Sequence, residues 1–135
     1  MQQAHDAVFG PLLEARTVAA NASINDAVDA MNGHAILARI ETALSAEATR
    51  GISTPARARA ATAQAQDAIE PLRRSLLALD ELASVASTDD GWTEWVDQLR
   101  RVFSAADDAC TAVAGVLSAR RTEDTPPRWY ARTTR

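Results

Sequence analysis

Two histidines, one cysteine and a set of paired arginines are the side chains of this chain with the means to do chemistry. His34 follows Asn32-Gly33 and precedes Ala35-Ile36-Leu37-Ala38-Arg39. An imidazole facing water can take up a phosphoryl group near neutral pH, which makes His34 the candidate phosphoacceptor. His5 and His34 cannot form a metal site by spacing alone. The carboxylates Glu14, Glu41, Glu47, Glu70, Glu81 and Glu94 never stand in the Glu-x-x-His arrangement of di-iron bundles, so no metal and no cofactor is expected. Cys110 is the single cysteine, which excludes an internal disulfide and a cysteine-based metal cluster. It falls on an apolar seam, where a free thiol packs as a small hydrophobe. No Ser-His-Asp pattern, glycine-rich phosphate loop or nucleotide fingerprint accompanies these residues, so no catalytic residue is assigned and an enzyme is not expected.

An exposed histidine on a bundle helix is how histidine phosphotransfer domains accept a phosphoryl group, and a helical hairpin with one His is similar in layout to the dimerisation half of sensor kinases. Neither motif stands here. Phosphotransfer domains usually follow their His with a Lys-Gly pair, and His34 is followed by an apolar run. The acidic or polar neighbour of the kinase pattern, with a Pro or Asn a few positions on, is missing as well. No family is assigned, and the plainer reading of His34 is an ordinary helix residue.

Arginine doublets recur at Arg73-Arg74, Arg100-Arg101 and Arg120-Arg121, with Arg57 and Arg59 nearby. Paired guanidinium groups can grip nucleic-acid phosphates through bidentate forks. Acids interleave with them along the same stretches, which reads more plainly as a solvated face with i,i+4 pairs. Residues 1–119 hold 9 Arg against 16 acids, whereas 120–135 hold 5 Arg against 2. An acidic body argues against broad binding to DNA phosphates, so a nucleic-acid partner is the lesser expectation. The basic end, Pro126-Pro127-Arg128-Trp129-Tyr130-Ala131-Arg132, carries the only tyrosine and one of three tryptophans. Arg128, Trp129, Tyr130 and Arg132 are the candidate partner-binding residues, because amphipathic aromatics and Arg are enriched at interfaces. After two prolines this segment should run extended. It would dock on another protein or stack on nucleic-acid bases, unless Trp129 folds back on its own bundle.

The elements that must position these residues are helical. The chain has 135 residues, 47% of them apolar, with 30 alanines, no lysine, and only 5 Gly and 5 Pro. That length is one domain, and an Ala-, Leu- and Arg-rich chain with so few breakers favours helix nearly throughout. An all-β fold and a βαβ alternation are excluded. No run of about 18 apolar residues occurs and Met1-Gln2-Gln3-Ala4-His5-Asp6 has no basic or apolar leader character, so the expectation is a cytoplasmic chain with no membrane segment. Arginine at every basic position suits a GC-rich bacterial genome.

The punctuation predicts an all-α, mostly antiparallel three- or four-helix up-and-down bundle over 1–121, with helices near 4–49, 55–87 and 91–121, and a tail over 122–135. Gly51 with Ile52 suits a helix C-terminus, and Thr54-Pro55 offers an N-cap and a first-turn proline. Asp89-Asp90 suit the start of the last helix. In the middle helix Ala58, Thr62, Ala65, Ile69, Leu72, Leu76, Leu79, Ala83 and Ala86 step by 3 and 4, with Pro71 predicting a bend over 67–71. In the last, Trp92, Val96, Leu99, Phe103, Ala106, Cys110, Val113 and Leu117 form a seam, with Trp95, Val102, Ala109 and Val116 as a third apolar position per heptad. Three positions make a face broad enough for a globular bundle. In the first segment Phe9, Leu13, Ala20, Ile24, Val28, Met31 and Ala35 share a face, and Leu37, Ile40 and Leu44 lie nearly opposite. Either it breaks near Gly10-Pro11, Asn21–Asn25 or Asn32-Gly33 and folds back, or one long, kinked helix buries different faces; the latter is slightly favoured.

The function expected is a non-catalytic protein–protein interaction module, a small subunit or adaptor of a larger assembly. The alternatives are a phosphotransfer-like module using His34 and a small subunit contacting nucleic-acid backbone through its Arg pairs. Pairing with a second copy is also open, since an Ala-rich seam can close between chains as well as within one.

Overall fold

The computed structural model describes residues 2–124, and side chains from 3 to 119. The described chain is all α-helical with no strand. Six helices follow in order: α1 (Gln2–Ala19), α2 (Ile24–Ala30), α3 (Gly33–Thr49), α4 (Pro55–Ala68), α5 (Glu70–Leu82) and α6 (Asp89–Asp124), with a 3-10 turn over Ala83–Val85. Helix α1 packs on α3, α3 on α4 and α5, these on α6, and α6 back on α1, which closes a four-membered ring of up-and-down helices.

The first segment is three helices and not one long helix. Chain breaks fall at 20–23 and at 31–32, and both have local causes. Ser23 takes an extended conformation and accepts the Asp26 N–H through its hydroxyl at 3.3 Å. Asn32 does the same for α3, accepting the Ala35 N–H at 2.9 Å. Side chains of this type offer the backbone an alternative partner to the helical carbonyl, so they start new helices where a longer one would otherwise run. Helix α1 continues through Gly10-Pro11 without a break. The buried line of α1 is Ala4, Val8, Leu12 and Ala15, a different face from the one the apolar spacing suggests, and Ile24 is left half exposed at the corner.

The link from α3 to α4 is a tight turn. Gly51 has φ +79, the left-handed value that a side chain disfavours, and the Ile52 N–H closes on the Thr49 carbonyl at 3.0 Å. Thr54 holds the N-cap place of α4 through its backbone, but its hydroxyl makes no capping bond. The expected bend of the middle helix is a break at Ile69. Pro71 has no N–H for the Asp67 carbonyl, and the Ile69 N–H turns back to Gln66 instead, at 3.2 Å. Helix α6 starts three residues before Trp92, at Asp89; the Thr88 hydroxyl accepts the Gly91 N–H at 3.0 Å, and Asp89 and Asp90 occupy the positive first turn.

The core runs the length of the ring. Met31, Ile36, Ile40, Leu72, Leu76, Leu79 and Trp95 fill one part, and Ala4, Ala48, Ala61, Ala65 and Ala109 line another. The deepest line of α6 is Trp95, Gln98, Val102, Ala106, Ala109, Val113 and Leu117. Trp92, Val96, Leu99, Phe103 and Cys110 flank it half-buried.

Candidate functional site

The chemistry-bearing residues gather where the start of α3 meets α5. Gly33 is buried there, and a Cβ at this position would run into the Leu76 backbone carbonyl. Only a glycine lets α3 approach α5 this closely. The approach brings Asp80 of α5 under the open N-terminus of α3. Its carboxylate accepts the Gly33 N–H on Oδ1 at 2.6 Å and the His34 N–H on Oδ2 at 2.8 Å. Together with Asn32 it satisfies three of the orphan donors of the first turn, and its charge sits at the positive end of the helix.

The same Oδ2 also pairs with Nδ1 of His34. The carboxyl group is thus shared between a helix end and an imidazole. The His34 side chain is 71% exposed and that of Asp80 only 20%. With Nδ1 held by the carboxylate, Nε2 is the remaining nitrogen of an outward-lying ring. Asp80 was not legible as a partner of His34, since 46 residues separate them and an acid on α5 reads as a solvated one.

Other polar groups lock helix to helix. Arg73 bridges Glu70 on its own helix at 2.8 Å and Glu41 on α3 at 3.3 Å. Gln98, the one buried polar side chain of the core, donates from Nε2 to the Ser75 carbonyl at 3.0 Å and accepts from Arg101. Arg39 pairs with Glu14 across α3 and α1, and the Arg16 guanidinium lies 5.4 Å from the centre of the Phe103 ring. The doublets expected to grip phosphates are therefore engaged with neighbours: Arg74 with Glu70 at 3.2 Å, Arg100 with Asp97 at 3.4 Å, Arg101 with Gln98. Arg120-Arg121 lie beyond the described side chains.

His5 stacks on Phe9 with ring centres 5.0 Å apart and stands 3.7 Å from Asp6. No group of three His, Cys, Asp or Glu that could hold a metal gathers among the described residues. Cys110 is half-buried on the flank of α6, where burial first and the nearby Asp107 second push its thiol up from the ordinary value. By length and composition α6 is apolar enough to cross a bilayer, with mean hydropathy 1.3 over its best window. In the fold its Val102–Ala106–Val113–Leu117 line packs into the ring, and Asp107 and Asp108 are exposed. Arg128, Trp129, Tyr130 and Arg132, the candidate partner-binding residues, lie outside the described residues.

No family model, curated protein or solved structure matches this chain.

Proposed function

We propose that this protein is a non-catalytic interaction module, a small helical subunit or adaptor that joins a larger assembly through Arg128, Trp129, Tyr130 and Arg132. The observation that supports it is the use made of Asp80. The carboxylate nearest to the one candidate reactive histidine holds the start of α3 against α5, so this pair serves helix docking. Arg73 and Gln98 do the same between α5 and its neighbours, and the raised thiol of Cys110 is a weak nucleophile. The aromatic and arginine side chains of 128–132 are then the residues best suited to recognition. An affinity capture from the native host tests this, comparing the full chain with one cut after Arg121, with and without nuclease. A protein retained by the full chain, resistant to nuclease and lost on truncation is the expected result. A full chain that stays monomeric and retains nothing overturns it.

A second reading is favoured by the imidazole geometry alone. Nδ1 anchored on Asp80 presents Nε2 of His34 as an in-line nucleophile toward a phosphorylated donor. Attack on phosphorus would break the donor P–O bond, leaving phosphohistidine on this chain and a free carboxylate on an aspartyl-phosphate donor. Acid-labile phosphate on the wild type and none on His34→Gln, after incubation with phosphorylated response regulators, is the result this reading requires.

A further inference from the structure

Between α4 and α6 the fold leaves an open cleft of about 610 Å³, with Gln64, Asp67 and Ala68 on one wall and Ala112, Gly115 and Ala119 on the other. Gly115 is the odd residue in it. Glycine weakens the interior of a helix relative to alanine. At Gly33 and Gly91 a backbone carbonyl occupies the place of a Cβ, which accounts for glycine there, but a Cβ at Gly115 would meet nothing within 4 Å. Packing among the described residues gives no reason for a bare patch of α6 at this point. A large flat side chain arriving from elsewhere would gain from it, because it could lie directly on the helix backbone.

We propose that the C-terminal segment of this same chain folds back onto the α4–α6 cleft, with the Trp129 ring over Gly115 and Ala119 and its arginines beside Asp67 and Asp108. Reach permits it. From Asp124, the last described residue of α6, Ala119 lies about 7.5 Å and Gly115 about 13.5 Å back along the helix. The five residues from there to Trp129 span up to about 17 Å when extended. Pro126-Pro127 turn the chain out of the helical path over that stretch. Charge complements the geometry. The cleft wall carries Asp67 and no arginine, and Asp108 stands exposed one turn before Ala112 on the same face of α6. The segment brings Arg128 and Arg132 on either side of the aromatic pair. This extends the reading of 128–132 as the recognition element: a partner taking that segment must first lift it from the cleft.

The test needs no partner, so its failure is distinct from failure of the capture experiment. Subtracting the emission of Trp129→Phe from that of the wild type, both as full chains, isolates Trp129 from Trp92 and Trp95. In the docked arrangement Trp129 emits to the blue of its position in urea and resists acrylamide quenching several-fold. Gly115→Arg fills the cleft floor with a bulky like charge at an exposed helical site. In that background the Trp129 signal should move to that of a solvated indole, while the helical circular dichroism and cooperative unfolding stay in place. A solvated Trp129 in the wild type overturns the proposal, as does shielding that survives Gly115→Arg. Shielding that disappears on dilution also overturns it, because Trp129 would then sit in the cleft of a second copy.

Discussion

Helices α4 and α5 are two halves of one interrupted helix, face the same two neighbours, and are held to them by different means. Helix α5 buries Leu72, Leu76 and Leu79 completely, and carries Asp80 to the start of α3, Arg73 to Glu41 and the Ser75 carbonyl to Gln98. Helix α4 buries only Ala61 and Ala65. Its lateral polar contact with α3 is one long hydrogen bond between Ser45 and Thr62, at 3.5 Å. Open clefts lie along both of its sides, one toward α6 and one lined by Thr49, Ala58, Arg59 and Thr62. Alanine lets helices approach, but it removes little apolar surface from water, so the α4 half keeps surface in reserve. The break at Ile69 and Pro71 divides a half that anchors the fold from a half available to something else.

The largest effect that should separate the two halves comes from the core. Leu76→Ala removes a fully buried side chain and should cost about 3 kcal/mol, in the usual range for a buried leucine. Ala65→Gly on α4 should cost only about 1 kcal/mol, mostly helix propensity. Urea unfolding of both variants, read with unchanged m, gives the comparison. Equal losses would break the division between an anchoring and an open half.

Glycine offers the next contrast. Gly33→Ala forces a Cβ into the Leu76 carbonyl and must push α3 off α5, at about 2 kcal/mol by analogy with overpacked cores. Gly115→Ala meets open space and should instead stabilise, by up to about 1 kcal/mol. Melting temperatures of opposite sign in the two variants are the expected outcome. A destabilised Gly115→Ala would mean that something occupies the α4–α6 cleft closely enough to exclude even a methyl group.

What the sequence displays of this arrangement depends on how local each cause is. Pro71 acts on its own backbone, and the break falls where its missing N–H puts it. Gly51, Pro55, Asp89 and Asp90 likewise act within one turn, so those boundaries are legible. The first segment is harder. Ser23 and Asn32 stand in a chain of good helix formers, and nothing near Asn32 reveals that an aspartate 47 residues beyond Gly33 completes the end of α3. The deep line of α6 shows the same limit. Gln98 interrupts it with a polar residue, which draws the apparent seam to Trp92, Val96 and Leu99, because its satisfied amide depends on a carbonyl of α5. Asp80 and Gln98, the residues missed, are both paired across helices. The proposed recognition segment is different again: its composition is plain to see, and its placement lies beyond the described chain.

Asp80 itself supplies the smallest and most specific test of the contrast. Asp80→Asn preserves shape and one acceptor oxygen, yet it removes the negative charge from the start of α3 and one of the two oxygens that accept the Gly33 and His34 donors. A loss of about 1–2 kcal/mol follows from the cap and the helix dipole together. Asp67→Asn on α4 is the matched change at an exposed acid, and should stay within about 0.5 kcal/mol of wild type. Chemical denaturation sets the two energies, and hydrogen exchange says where the first is lost. Protection should fall at Gly33, His34 and Ala35 in Asp80→Asn, because their N–H groups lose the acceptor that closes the α3 start, whereas α4 amides should exchange as before. If exchange rose instead across α4, the hold of α5 on α3 would extend past the break at Ile69, and the two halves would have to be regarded as one unit.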